Sequence, residues 1–259
     1  MANKGTVFAL AGATGAERWR FSPKRIATPA NGFWGGHLTS PVVSGGKVYI
    51  GAGQEIYALD AKTGALRWQF NGPDLVSSSV AVSEGRVFFS GEKNLHAIDA
   101  SSGTPLWKAP VENEIYFAPI AADGVVYTTT GGKLAAYDAR SGAQRWASRE
   151  EDSGVGRRPS RRQAVRGLEG RLRAVDAATG KDLWSYQFNG YVSMPAVVVG
   201  KLFVVTGSGA EMKLAALDVA TGKVAWEQQI PSLAAAPPVL GDGTVYVRTT
   251  DGRVLGFSQ

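Results

Sequence analysis

The stretch "ALDAKTGALRW" ends at Trp68. It returns as "AIDASSGTPLW" ending at Trp107, "AYDARSGAQRW" at Trp146, "AVDAATGKDLW" at Trp184 and "ALDVATGKVAW" at Trp226. A sixth copy, "ALAGATGAERW", ends at Trp19 and has Ala11 where the others have aspartate. In every copy a glycine stands four places before the tryptophan. Five or six stacked copies of one unit can bury a continuous core that a single copy cannot.

The tryptophans recur at about 40 residues, the spacing of a four-stranded propeller blade. Each unit opens with a short strand, often after proline ("SPVVS", "SMPAVVV"), where proline is tolerated. A glycine turn leads to a β-branched and aromatic run ("KVYIGA", "RVFFSG"), and a third strand follows ("EIYALD", "KLAALD"). The repeated phrase is then a hairpin: aspartate accepts backbone N–H groups, glycine supplies positive φ, and tryptophan rides on the outer strand. Its fixed offset points Trp19, Trp68, Trp107, Trp146, Trp184 and Trp226 to one kind of place, the seam between neighbouring blades. Helical periodicity is absent. The reading is an all-β fold, a β-propeller of four-stranded antiparallel blades in one domain spanning residues 1–259.

First strands are expected near Pro41, Ser79, Pro119, Pro159, Pro195 and Pro238, which gives six blades. The N- and C-terminal strands would share one blade, closing a monomeric ring and hiding its edges. One strand is surplus, because "GTVFALA" and "GRVLGFS" both read as third strands. Either one is displaced or the ring is larger.

The 259 residues include no cysteine, which excludes disulfides, thiolate metal sites and a cysteine nucleophile. No run of about 18 apolar residues is long enough to span a membrane, and "MANKGTVFAL" has no signal-peptide pattern. The net charge of +6 is concentrated rather than spread.

The phrase A-x-D-x-x-T-G-x-x-x-W resembles the repeat of the pyrroloquinoline-quinone (PQQ)-like β-propeller superfamily, over nearly the whole chain. That superfamily includes quinoprotein alcohol dehydrogenases, the outer-membrane assembly lipoprotein BamB and sensor domains of bacterial receptors. The resemblance is closest to BamB-type factors. It implies a non-catalytic scaffold in the periplasm or another extracytoplasmic space, with protein partners in the outer-membrane assembly machinery, no cofactor and no nucleic acid. The alternative it implies is a PQQ-dependent alcohol or sugar dehydrogenase, or a piece of one, holding PQQ and calcium. Calcium needs about six to eight converging oxygens, and no local loop here supplies them, so no metal ligands are assigned.

No catalytic residue is assigned either. The first blade-to-blade loop, "SPKRIATPANGFWGGHLTS", carries Phe33, Trp34 and His37, a candidate contact loop for a partner or ligand or else a plug over the channel. His96, the other histidine, holds a variable third-strand position shared with Tyr57, Ala135, Arg173 and Ala215, and reads as surface or interblade packing. Asp60, Asp99, Asp138, Asp176 and Asp218 read as turn caps. The glycines of "GAGQE" and "TGSGAE" do not sit between a strand and a helix, so they are not a phosphate loop.

The fourth full unit breaks the pattern with "GVGRRPSRRQAVRGLEGRL". Arg157, Arg158, Arg161, Arg162 and Arg166 crowd a stretch where inner strands are expected, and burying several unpaired charges is prohibitive. The segment 157–166 is therefore expected to be exposed, poorly ordered or distorted rather than paired as a regular inner strand with its arginines buried. One reading is a basic loop for an anionic partner. The other is a pair of compensating frameshifts: Arg161 to Gly167, written in GC-rich codons and read one base out, gives Ala-Gly-Arg-Arg-Phe-Val-Gly, close to "SGGKVYIG".

Overall fold

The computed structural model describes residues 5–258 apart from 24–37, 77, 92, 113–114, 116–117, 131–132, 149–162, 169, 194, 199, 210, 232–237 and 242. A hairpin of β1 (Val7–Leu10) and β2 (Glu17–Phe21) comes first. Three four-stranded sheets follow: β3 (Val42–Ser44), β4 (Lys47–Ala52), β5 (Glu55–Asp60) and β6 (Leu66–Asn71); β7 (Ala81–Ser83), β8 (Arg86–Ser90), β9 (Asn94–Asp99) and β10 (Pro105–Pro110); β11 (Ile120–Ala122), β12 (Val125–Thr130), β13 (Lys133–Asp138) and β14 (Gln144–Ala147). Next is a three-stranded sheet of β15 (Gln163–Leu168), β16 (Arg171–Asp176) and β17 (Asp182–Gln187). A five-stranded sheet pairs both β18 (Tyr191–Val192) and β19 (Ala196–Val198) with β20 (Lys201–Ser208), followed by β21 (Glu211–Asp218) and β22 (Val224–Ile230). The last sheet is β23 (Val239–Gly241), β24 (Thr244–Arg248) and β25 (Val254–Ser258).

The chain divides into two compact units, Met1–Gly131 with Tyr137–Gln144, and Gly132–Ala136 with Arg145–Gln259. In the first unit, Val7 and Trp19 of the hairpin pack on Val48, Ile50, Tyr57 and Leu59. The opposite face of that sheet, with Tyr49, Ala58 and Trp68, packs on Val87, Phe89 and Ile98 of the next. In the second unit, Leu172 and Ala174 meet Leu202 and Val204, and Phe203 and Ala216 meet Val245 and Val247. First strands lie side by side, β3 with β7, β7 with β11, and β19 with β23. This is the blade packing of a β-propeller. The second and third strands β4, β5, β8, β9, β13 and β20 are covered on both faces over most of their length.

Register explains the alanine of the repeated phrase. One cross-strand row in the second sheet is Val42–Tyr49–Ala58–Trp68. Its counterparts are Ala81–Phe88–Ala97–Trp107 and Ala196–Phe203–Ala216–Trp226. The small residue lets the flanking rings reach across it: Tyr49 and Trp68 lie 5.8 Å apart, Phe88 and Trp107 5.8 Å, and Phe203 and Trp226 6.0 Å between centroids. The register shifts just before each tryptophan, leaving one extra residue on the outer strand, such as Arg67 or Leu106.

The glycine has two duties. Gly64, Gly103, Gly142, Gly180 and Gly222 all have positive φ, between 70° and 75°. Each also lies under the indole of the preceding copy, so that a Cβ at Gly103 would stand 2.7 Å from Cε3 of Trp68. The indole N–H then donates to a carbonyl of the same turn: Trp19 to Ala61, Trp68 to Ala100, Trp107 to Ala139 and Trp146 to Ala177 at 3.1 Å, and Trp184 to Val219 at 2.8 Å. Thus the glycine of one phrase is the seat for the tryptophan of the phrase before. Trp19 and Trp68 are buried, whereas Trp107, Trp146, Trp184 and Trp226 are half-buried.

One expectation needs correction in part. Gln163–Leu168 of the arginine-rich unit pairs along its whole length with β16, with Arg166 opposite Arg173. Ladder bonds use only main-chain groups, so a run of unusual side chains does not by itself forbid a strand. Val165 also holds the register position opposite Ala174 that Tyr49 holds opposite Ala58. Residues 157–162 lie outside the described residues. Among the described residues β1 and β2 pair with each other, and β23, β24 and β25 form a sheet of three. Both ends carry a third strand, so the surplus seen in the sequence is real.

Candidate functional site

Strand order puts the β8–β9 turn and the β6–β7 connection at one end of their sheets, and the D-x-x-T/S-G turns at the other. At the turn end, Asp60 Oδ1 accepts the Lys62 and Thr63 amides at 3.0 and 2.8 Å and the Thr63 hydroxyl at 2.9 Å. Asp99, Asp138, Asp176 and Asp218 make the same kind of cap. The Ser101 hydroxyl, with the Ser101 and Ser102 amides, holds the Asp99 carboxyl down at about 2. These carboxylates are occupied by their own turns.

The other end carries a denser polar cluster. The β6–β7 connection is tied to the β4–β5 turn: Gly72 N–H donates to Gln54 O at 2.8 Å, Val76 N–H to Gly53 O at 2.8 Å, and Gln54 Nε2 to Pro73 O at 3.0 Å. This fixes Asp74. Its Oδ2 accepts from Asn94 Nδ2 at 2.9 Å, lies 2.8 Å from His96 Nε2 and has Lys108 Nζ at 3.4 Å. The His96 ring stacks on Phe89, 4.7 Å between centroids and 4° from parallel. Gly91 closes the cluster, since a Cβ there would stand 2.7 Å from Asp74 Cβ and 3.0 Å from His96 Nε2.

His96 is 5% exposed, so the surface alternative of the sequence reading is replaced by a buried, paired imidazole. The same third-strand position is buried and partnered elsewhere. Tyr57 donates to Glu55, and Arg173 makes a two-point pair with Asp182. Burial, then the Glu55 carboxylate, pushes the Tyr57 phenol well above its usual range. Asp74 was not singled out by sequence. The only signal was an aspartate in a connection whose partner lies two strands away.

Burial pushes His96 below its ordinary 6.5, while the Asp74 bond and charge pull it partly back. Burial pushes Asp74 upward, but hydrogen bonds from His96 and Asn94 and the Lys108 charge outweigh it, and its carboxyl sits below 3.8. For His96 the unfolded chain takes up a proton first, so its contribution is fully present above 6.5 and is lost as pH falls through and below that value. The Asp74 contribution is present above 3.8 and is lost as pH falls further. Urea melts should therefore show stability declining from pH 7 to pH 5, and Asp74→Asn, which removes the carboxylate that pulls His96 back up, should steepen that decline. An unchanged slope in the variant would remove the pair from the pH response.

With its imidazole stacked, covered and bonded to a carboxylate, the cluster clips the β6–β7 connection to β9. Phe33, Trp34 and His37 lie outside the described residues, as do Arg157, Arg158, Arg161 and Arg162. Among the described residues no three histidine, aspartate or glutamate side chains gather as metal ligands, and no helix is long and apolar enough to cross a membrane.

The family model described as outer membrane protein assembly factor BamB matches residues 3–94, 54–169 and 168–259. No curated protein matches significantly. Among solved structures, BamB from Moraxella catarrhalis superposes with a TM-score of 0.71 at 19% identity, covering 99% of this chain and 80% of that one. The computationally designed protein Ika8 gives a TM-score of 0.78 at 17% identity, covering 95% and 75%. A europium-containing methanol dehydrogenase gives 0.58 at 18% identity, covering 78% of this chain and 53% of its own. At these identities the likeness is one of fold.

Proposed function

This chain belongs to the family of the outer-membrane protein assembly factor BamB, and from that premise we propose that it is a non-catalytic interaction scaffold of BamB type. The observation that carries the reading is the reach of the family match, which runs from residue 3 to residue 259. In this reading the protein works outside the cytoplasm and its partners are proteins of the outer-membrane assembly machinery. The loop with Phe33, Trp34 and His37 is a candidate contact. Sheets packed face to face within each unit suit the role, because docking on them orders few new side chains.

The test pairs two titrations. The purified chain should bind an isolated outer-membrane β-barrel assembly complex lacking its own BamB, measured by biolayer interferometry. Calorimetry with PQQ and calcium should give no heat of binding, and a dye-linked alcohol or sugar dehydrogenase assay no turnover. Calcium-dependent PQQ binding at micromolar levels, with no binding to the assembly complex, would overturn the scaffold reading in favour of a quinoprotein.

A further inference from the structure

The tetrapeptide Gln-Phe-Asn-Gly occurs twice, at residues 69–72 and 187–190. Asparagine is among the chemically labile residues. It is most exposed to attack when glycine follows, because a residue with no Cβ lets its amide nitrogen approach the side-chain carbonyl closely. Identical local sequence gives the two sites the same intrinsic reactivity. Any difference between them comes from the fold.

The first site is held on all sides. Asn71 ends β6 and is paired with Glu55. Gly72 N–H donates to Gln54 O at 2.8 Å, and Asn71 Oδ1 accepts from Gln69 Nε2 at 3.0 Å. The residues beyond are tied down too, by Gln54 Nε2 on Pro73 O and Val76 N–H on Gly53 O. A nitrogen whose proton is committed to a carbonyl is a poor nucleophile.

The second copy is shifted outward, so that β17 ends at Gln187 and Asn189 and Gly190 form an exposed bend before β18. Ser193 N–H donates to Val205 O at 2.8 Å. Main-chain groups alternate sides along a strand, so Tyr191 also turns its N–H toward β20 and Gly190 turns its own away. Among the described residues no hydrogen bond engages the Gly190 N–H or the Asn189 side chain. Glycine is nonetheless required here. Its φ is +89°, and a Cβ would stand 2.5 Å from Gly207 O and 2.9 Å from Ser208 Cβ.

We infer that Asn189 is a site of spontaneous covalent modification, deamidation through a succinimide, and that the fold protects Asn71 from the same reaction. The Gly190 nitrogen gives its proton to solvent base and bonds to Asn189 Cγ. The Cγ–Nδ2 bond breaks, and Nδ2 takes a proton from solvent and leaves as ammonia. Water then opens the ring. Attack at Cγ breaks the new bond and gives aspartate. Attack at the main-chain carbonyl carbon breaks the original peptide bond and gives isoaspartate, whose chain runs on through Cβ and Cγ. Nothing is oxidised or reduced, and water is the only co-reactant. The chain gains one negative charge, and in the isoaspartyl form one extra main-chain atom just where Gly190 abuts Gly207. The inference does not depend on the scaffold reading.

The test ages the full folded chain in mildly alkaline buffer and follows both sites by peptide mapping, with electron-transfer fragmentation to tell isoaspartate from aspartate. The Asn189 peptide should lose its amide form progressively to a mixture of the two acids, while the Asn71 peptide keeps its own over the same period. In urea, which frees the Gly72 amide, the two sites should convert at equal rates. Asn189→Gln, which needs a larger ring, should leave its peptide unchanged in the folded chain. Equal conversion of the two sites in the folded chain would overturn the inference. So would an Asn189 peptide that stays an amide when folded but converts in urea.

Discussion

Trp68→Ala should cost about 3–5 kcal/mol of folding stability, the range for truncating a buried large aromatic. The indole is 8% exposed, contacts the Tyr49 ring across Ala58 and covers Gly103 in the next sheet. Losing its N–H bond adds little, because the acceptor, Ala100 O, keeps the Tyr49 hydroxyl at 3.2 Å. The cost is therefore the cavity and the lost apolar burial. Trp107→Ala is the useful comparison. It has the same bond and the same kind of aromatic neighbour, but it is only half-buried and should cost less. Urea melts that rank the two equally would show that burial does not set the effect, and a Trp68→Ala midpoint equal to that of the parent would refute the seam as a source of stability.

The repeat made the fold legible because a fixed spacing of tryptophan, glycine and aspartate specifies a hairpin and its place in a stack. What the spacing could not show was which residue the indole touches. Gly64 reads as a turn glycine in the sequence, and only the packing shows it is also the seat of Trp19. The alanine of the phrase looked like an indifferent small residue, yet it lies between two rings in one cross-strand row. The Asp74–His96 cluster was illegible for a different reason. A variable position in a repeat is defined by partners outside the repeat, and Asp74 sits in a connection that no periodicity governs. The arginine-rich unit misled in the opposite direction. Side-chain pattern argued against a strand, while the ladder between β15 and β16 needs only the backbone.

A double-mutant cycle on Trp68 and Gly103 tests the seat directly. Gly103 has φ +75° and is buried beneath the Trp68 ring. Gly103→Ala should cost roughly 1–2 kcal/mol for placing an L-residue in the left-handed region. A Cβ 2.7 Å from Trp68 Cε3 adds a steric term, on the order of 1–3 kcal/mol for overpacking. In the Trp68→Ala background the ring is gone, so the steric term vanishes and only the backbone term remains. The two substitutions should thus be less than additive by about 1–3 kcal/mol, within the range seen for residues in contact. Gly85→Ala is the control, because Gly85 has φ +72° but nothing within 4 Å of its would-be Cβ. It should carry the backbone term alone and show no coupling to Trp68. Full additivity of Trp68→Ala and Gly103→Ala would mean that the glycine is there for the turn only, and that the offset of four between glycine and tryptophan has no meaning across the seam.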